Sequence, residues 1–440
     1  DGYCLLGLRF FERTYLSAIR VCFMQPEFTD DGGGRFSMLA GSSLKKTVRY
    51  GSLTVIDVKG KSHIFSGQNG PAVTIRLTDP SLHFRLFFNA QLALGEAYSD
   101  GSLILEEGSV YDFLDICLAN QRTLDNTTLQ KIFGIVRGFQ SAFRTYNPIG
   151  SAQRKVAHHY DLRDELFDLF LDADRQYSCA YFTKPSDNIE TAQYAKKLHI
   201  AAKLLLEKGQ KVLDIGSGWG GLGRFLAEIE EISLDGVTLS REQHRYSCTY
   251  AMKSKAAKRI NFYLRDYREL KDRYDRIVSV GMLEHVGPRH YSEFYKKIYD
   301  LLNDNGVALI HCIGKFNDPG PQNAWMEKYI FPGAYTPTLS EQFPSIERAK
   351  LFVSDVEILR LHYAETLKLW REAFEKNRET IAAMYDEKFC RMWEFYLAGC
   401  ETAFRHGVLM VFQIQLSKSL STVPLTRDYI SDFEKSHFSP

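Results

Sequence analysis

Residues 211–221 read KVLDIGSGWGG. The first five form an apolar run interrupted by Asp214, as a buried parallel strand requires. Gly216, Gly218 and Gly221 then let the backbone turn tightly and approach a ligand. Beyond them, Leu222, Phe225, Leu226 and Ile229 recur on one helical face. Strand, glycine turn and helix together open a doubly wound α/β sheet, with the helix N-terminus able to attract negative groups. Short apolar runs at 232–239, 260–264, 276–281 and 307–313 supply further strands, separated by helical segments. The stretch after 315 is rich in Pro and Gly. Two long helices follow, one with a stripe of Leu359, Tyr363, Leu367, Trp370 and Phe374, the other with Phe389, Trp393, Tyr396, Cys400 and Phe404. Residues 408–416 read as a closing strand.

The glycine string satisfies G-x-G-x-x-G at 216, 218 and 221, so a dinucleotide site has to be weighed. A nicotinamide site wants an acid at the end of the second strand, whereas Asp235 precedes the apolar part of that strand, which ends Gly-Val-Thr238-Leu-Ser240. Asp214 standing directly before Ile-Gly is instead the pattern of S-adenosylmethionine methyltransferases. Thr238, Leu239 and Gln243 follow strand two, where ribose should lie. Asp266 and Tyr267 follow strand three, where adenine should lie. The bland alternative for Gln243 is a capping box with Ser240, and for Asp266 an ordinary loop acid.

The 440 residues exceed one ordinary domain, and 45% hydrophobic with 25% charged residues is the usage of a globular chain. Lys+Arg number 55 against 54 Asp+Glu, so a net charge of +1 offers no global field for a nucleic acid. The 8 cysteines form no C-x-x-C pair and no zinc-like His/Cys cluster, which points to reduced thiols in a cytoplasmic protein and to no metal. No stretch approaches the length of apolar chain that crosses a bilayer.

The first part of the chain mixes elements: a helix at 10–24, a turn at 29–34, a hairpin over 53–65 turning near Lys59-Gly60, a strand at 73–77, and helices at 82–92 and 109–120. That is a small α+β domain. Residues 126–160 contain no acid but carry Lys131, Arg137, Arg144, Arg154 and Lys155 beside an apolar stripe of Ile132, Val136, Phe139 and Phe143. The combination suits an anionic membrane surface, or a connector helix packed on its own protein.

With these strings in place, the chain resembles the cyclopropane-fatty-acyl-phospholipid synthases, the family shared with mycolic acid cyclopropane synthases. The resemblance runs over roughly 155–415 through HYD at 159–161, QYSCAY at 176–181, 214–221, GVTLS at 236–240, RIVSVGMLEHVG at 276–287, HCIG at 311–314 and KYIFPG at 328–333. LGEAYSDG at 94–101 is similar to the longer, phospholipid-acting members, and Ser217 stands where the family commonly has Cys. The resemblance implies attack of a cis double bond on the sulfonium methyl of S-adenosylmethionine, followed by loss of a proton to close a three-membered ring. It further implies a bound bicarbonate as general base, at positions that map to Cys179, Glu284, His311, the backbone of Ile313, and Tyr363. Tyr177 and Ser178 are candidates for the methionine end of the cofactor, with His158, His159 and Tyr181 in a lid above it.

The expected architecture is therefore a class I methyltransferase (Rossmann-like) doubly wound sheet with a smaller N-terminal α+β domain. The expected divisions are 1–122 lipid-engaging, 123–150 linker helix and 151–440 catalytic. The expected partners are unsaturated phospholipids at the inner membrane face and a second copy in a homodimer, without nucleic acid. The alternative is an S-adenosylmethionine-dependent methyltransferase acting on another lipid or a small molecule.

Overall fold

The structure is a computed structural model that describes residues 48–120 and 162–438. The expectations for 10–24, 29–34, the linker helix at 123–150, the cationic segment 126–160, and His158 and His159 lie outside the described residues. The chain forms two compact units.

In the first unit, β1 (Ser52–Ile56), β2 (Ser62–Ser66), β3 (Ala72–Leu77) and β4 (Leu103–Glu107) make a sheet of order β2-β1-β3-β4. The expected hairpin is β1 and β2, paired antiparallel, while β1 and β3 are parallel. Alternation along the strands puts Leu53, Val55, Val73, Ile75 and Leu77 on one buried face. Helices Leu82–Asp100 and Val110–Ala119 belong to the same unit. The second opens with a reciprocal cap, Ser109 accepting from the Asp112 N–H while the Asp112 carboxylate accepts from the Ser109 N–H. The first runs past its expected end at 92. It kinks at Asn89 and stops at Gly101, whose φ of 81° is a left-handed cap.

The linear division at 122 and 151 is not the division of packing, because residues 320–330 and 374–408 cluster with the first unit. Partly buried polar contacts and a close-packed indole hold them there. The Tyr98 hydroxyl donates to Glu394 at 2.8 Å, and Arg391 donates to the Ser99 carbonyl at 3.1 Å. The His406 ring bonds Asp115 at 2.7 Å. A side chain at Gly95 would stand 2.4 Å from the Trp325 indole nitrogen, so the glycine in mid-helix lets Trp325 seat against the backbone. The second long aromatic stripe, on helix Glu387–Arg405, therefore belongs to the smaller unit rather than to the catalytic one.

The second unit is built on β5 (Lys211–Ile215), β6 (Ser233–Thr238), β7 (Ile260–Leu264), β8 (Tyr274–Val280), β9 (Leu302–Lys315), β10 (Phe352–Ile358) and β11 (Leu409–Ser417), in the order β10-β11-β9-β8-β5-β6-β7. β5 to β9 are parallel, and β11 runs antiparallel between β9 and β10. Both faces are covered. Leu213, Ile277 and Ile310 pack with Phe294, Tyr295 and Ile298 on one side, while Val212, Leu234 and Leu309 pack with Leu198, Ile200 and Leu226 on the other. Burial on both faces explains why these strands read as continuous apolar runs. β6 and β8 flank β5 on opposite sides, so the strand order reverses beside β5. A ligand crevice is expected outside the carboxyl ends of the strands at such a point.

Candidate active site

That crevice exists. It is walled by all ten residues expected at the cofactor: Tyr177, Ser178, Asp214, Gly216, Gly218, Thr238, Leu239, Gln243, Asp266 and Tyr267. Gly216 leaves β5 with a φ of 83°, and its N–H and that of Ser217 donate to the Val237 carbonyl at 2.9 and 3.0 Å, tying the loop to the end of β6. Gly221 walls the cleft and has a second purpose besides. A side chain there would meet the Gln176 amide nitrogen at 2.5 Å and the Asp174 carbonyl at 2.7 Å, so its smallness also admits the segment 174–178.

Asp214, next to last in β5, has 2% of its surface exposed, and its Oδ2 has no hydrogen-bond partner. Burial pushes its carboxyl up to about 7, opposed by the nearby Lys196 ammonium. A buried carboxylate oxygen without a donor, in a cleft wall, fits a ligand that carries positive charge. At the end of β6 the Thr238 hydroxyl donates to the Gln243 side-chain carbonyl at 3.0 Å and accepts from the Ser240 N–H at 3.2 Å. Ser240 accepts from the Gln243 N–H at 3.3 Å, but the Gln243 side chain turns to Thr238. Only half of the capping box forms, and the Gln243 amide stays with the cleft. Asp266 accepts from Arg268 through both carboxylate oxygens, at 3.0 and 2.7 Å, which fixes the acid at the end of β7. Tyr177 stacks on Trp370 at 5.3 Å between ring centroids and meets Phe167 edge-on at 5.5 Å.

None of the five residues expected at the base is among those that wall this cleft. The structure brings two of them together. Glu284 stands in the turn after β8, and its Oε1 accepts the Ile313 N–H of β9 at 2.7 Å. Its Oε2 is buried without a partner, and burial pushes the carboxyl up to about 6 against the pull of the Ile313 N–H. His311 lies two residues before Ile313 on β9. Its Nδ1 meets the Gln413 amide nitrogen at 3.2 Å. An amide NH2 only donates, so Nδ1 accepts and the ring proton sits on Nε2. Burial, then Lys196, holds that imidazole down at about 3, hence neutral.

Cys179 is wholly buried, its Sγ 3.3 Å from the Ala180 carbonyl, and burial raises its thiol far above the usual range. A thiol so placed is no nucleophile. The next N–H, of Ala180, donates to Thr366 at 3.0 Å on helix His362–Lys376. That helix also carries Tyr363, whose ring meets Trp370 edge-on at 5.8 Å. Trp370 thus connects Tyr363 to Tyr177 in the cleft wall. Tyr181 is not in the cleft wall: its ring is stacked between His199 at 4.3 Å and His362 at 4.7 Å.

The sequence reading missed Arg175, Gln176, Arg268, Met282 and Pro332 in the wall, and Lys196 behind it. Lys196 shares a helical face with Ala192, His199 and Lys203, all buried. Spacing from those neighbours could have placed it inward, although lysine in mid-helix usually faces water. Among the described residues there is no cluster of three or more His, Cys, Asp or Glu arranged for a metal ion.

Comparison with known proteins points to one family. The family model described as mycolic acid cyclopropane synthetase matches residues 149–414. A cyclopropane-fatty-acyl-phospholipid synthase of Escherichia coli K12 is 36% identical over 356 residues, 80% of this chain and 90% of that one. A probable fatty acid methyltransferase of Pseudomonas putida is 34% identical over 369 residues, 81% of this chain and 91% of that one. The crystal structure of mycolic acid cyclopropane synthase CmaA1 complexed with SAH and CTAB superposes with a TM-score of 0.58 at 31% identity, covering 62% of this chain and 99% of that one.

Proposed function

We propose, from the premise that this chain belongs to the mycolic acid cyclopropane synthetase family and is an S-adenosylmethionine-dependent methyltransferase, that it adds a methylene to the cis double bond of unsaturated acyl chains in membrane phospholipids, forming cyclopropane fatty acyl groups. The observation that carries this reading is Glu284, a buried carboxylate with one oxygen fixed and one unpartnered. Its chain neighbour His285 and Met282 both wall the cleft. Ring closure needs a proton taken away in a site that excludes water, and a buried carboxylate with one oxygen still open can serve that step.

S-adenosylmethionine bound in the cleft supplies an electrophilic methyl group. Asp214 offers the unpartnered anion for its positive charge; Thr238, Gln243 and Asp266 are the groups at the ends of β6 and β7 that would hold the nucleoside. Tyr177, in the cleft wall and backed by Trp370, can offer its ring to nearby cationic charge. The Cys179 thiol, held protonated by burial, and His311, whose lone-pair nitrogen Nδ1 is engaged by the Gln413 amide, can orient partners without themselves competing as nucleophiles. Bicarbonate would be held by Glu284 through its free oxygen, with Cys179, His311 and Tyr363 as further contacts, and would supply the base for the ring-closing proton. The Ile313 N–H is engaged by Glu284, so its part in that set is to fix Glu284.

The phospholipid substrate lies in a bilayer. Among the described residues no helix is long and apolar enough to cross a membrane. The reading therefore includes peripheral attachment at the inner face through 126–160, in a cytoplasmic homodimer. The resemblance to a probable fatty acid methyltransferase favours one second reading, transfer to an unsaturated acyl chain without ring closure. Incubating the protein with S-adenosylmethionine and vesicles of monounsaturated phospholipid tests both. A lipid heavier by one CH2 that has lost its olefinic signal and gained high-field ring protons supports cyclopropanation. A lipid heavier by one CH2 without ring protons supports the second reading, and an unchanged lipid contradicts both.

A further inference from the structure

Lys196, on helix Ile189–Leu204, is 0% exposed and lies behind the cleft wall rather than in it. Its ammonium donates to the Gln176 side-chain carbonyl at 2.5 Å and to the Ser178 hydroxyl at 2.9 Å. One turn earlier on the same face, the Gln193 amide donates to the main-chain carbonyls of the same two residues, at 3.1 Å to Gln176 and 3.0 Å to Ser178. Four bonds from two side chains therefore converge on a segment whose Gln176, Tyr177 and Ser178 all wall the cleft. A buried ammonium is costly to keep, and two neutral acceptors repay little of that cost. A leucine or methionine would pack such a helix more cheaply, so the charge calls for another use.

We propose that Lys196 is a positioning residue for the cofactor, setting the segment 176–178 as the wall against which S-adenosylmethionine lies and placing a buried cation behind Asp214. This deepens the cofactor reading given above and rests on it. The titratable and charged groups facing Lys196 are Asp172, Asp174 and Cys179 from the segment leading into and through the wall, Lys197 from its own helix, Asp214 from β5 and His311 from β9. Asp174 is engaged by Lys197 and Arg224, and Asp172 takes the Gln176 N–H at 2.7 Å. Asp214 has no donor for its Oδ2. Burial pulls the Lys196 ammonium down to about 7, Asp172 opposing, and pushes Asp214 up to about 7 with Lys196 opposing. The two groups thus titrate across the same range. Protonated Lys196 keeps Asp214 ionised, and an ionised Asp214 is what a cationic ligand needs. Binding of S-adenosylmethionine should weaken as pH falls through about 7, when Asp214 takes up a proton.

The test is calorimetric titration of the full chain with S-adenosylmethionine, without lipid, from pH 5.5 to 8.5, together with steady-state kinetics on vesicles. Lys196→Met should bind about tenfold or more weakly at pH 7.5. Its pH midpoint should move upward, because the cation that favours ionised Asp214 is gone. Its KM for the cofactor should rise by a similar factor, while kcat stays within about threefold, since the residue touches no reacting atom. Ser178→Ala removes only a hydroxyl and serves if the first variant does not fold. It should bind several-fold more weakly, with the midpoint of the natural protein. Binding by Lys196→Met within twofold of the natural protein and with the same midpoint would overturn the proposal. So would unchanged affinity in Ser178→Ala, or a loss confined to kcat in either variant. If the unsubstituted protein itself binds no S-adenosylmethionine, the cofactor reading falls and takes this inference with it.

Discussion

Glu284 Oε1 accepts the Ile313 N–H at 2.7 Å, and its Oε2 meets no donor although it is buried. The turn after β8 and the strand β9 are thereby locked together by a carboxylate that still has half its bonding capacity unspent. Replacing Glu284 by Gln keeps the shape and the bond to Ile313 but removes the charge. Ring formation on vesicles should drop on the order of 100-fold or more, while S-adenosylmethionine affinity stays within about threefold, because Glu284 is not in the cleft wall. Product analysis and calorimetry on the same preparation check this; equal losses in both would place Glu284 at the cofactor instead.

Asp214 gives a stability prediction with a definite sign. Its folded carboxyl is raised to about 7 from an ordinary 3.8. The folded state therefore holds its proton more tightly than the unfolded chain. The resulting stabilisation is present below about pH 4 and is lost as pH climbs through about 7. Without ligand, the melting temperature of the natural protein should fall relative to Asp214→Asn between pH 4 and 7. Asp214→Asn should also raise the KM for S-adenosylmethionine about tenfold or more. Parallel melting curves for the two proteins across that range would contradict the assignment.

His199 is buried between Glu357 at 2.8 Å and Glu434 at 2.6 Å, and stacked on Tyr181. Burial opposes its charge, but the two carboxylates win and raise its ordinary 6.5. That stabilisation is complete below pH 6.5 and disappears as pH rises through the higher folded value. His199→Gln should therefore lose most stability in mild acid, about 1–3 kcal/mol from its bonds to charged groups, and less in alkali. Chemical denaturation at pH 6 and pH 9 measures the difference.

Gly221 faces the Gln176 amide at 2.5 Å in the position a side chain would take. Gly221→Ala should push segment 174–178 outward, costing about 1–3 kcal/mol of stability and weakening S-adenosylmethionine binding. Calorimetry and thermal melts together check this; a variant of unchanged affinity would show that the segment does not form the wall.

If residues 126–160 dock on anionic headgroups, attachment to vesicles containing an anionic phospholipid should fall steeply as salt rises past the range where screening lengths drop below about 8 Å. Sedimentation of the full chain with such vesicles, and with neutral ones, reads this out. Salt-independent attachment would argue for an apolar anchor.

The sheet and the cleft were legible because burial on both faces leaves long apolar runs, and because the ends of such runs must lie at one edge. That logic placed Asp214, Thr238, Gln243, Asp266 and Tyr267 in one wall without any three-dimensional information. β10 escaped it: Phe352–Ile358 reads FVSDVEI, an edge strand with charges and exposed apolar residues, which carries neither a continuous nor an alternating signal. The packing of 374–408 with the first unit escaped as well, since an aromatic stripe shows that a helix is buried but not against what. The bonds from Lys196 to Gln176 and Ser178, and the bond between Glu284 and Ile313, join residues far apart in the chain, which no local pattern encodes. The base positions came from family resemblance, and the structure ties Ile313 to Glu284 rather than leaving its N–H open.

The most direct measurement uses S-adenosylmethionine whose methyl carries three deuterons, turned over on monounsaturated phospholipid vesicles, with the acyl chains then weighed and examined by proton NMR. Cyclopropanation predicts a gain of CD2, loss of the olefinic protons and high-field ring-methine signals, because one deuteron leaves the transferred carbon when the ring closes. Retention of all three deuterons on a methyl branch, or a CD2 gain with no ring-methine signal, would contradict it.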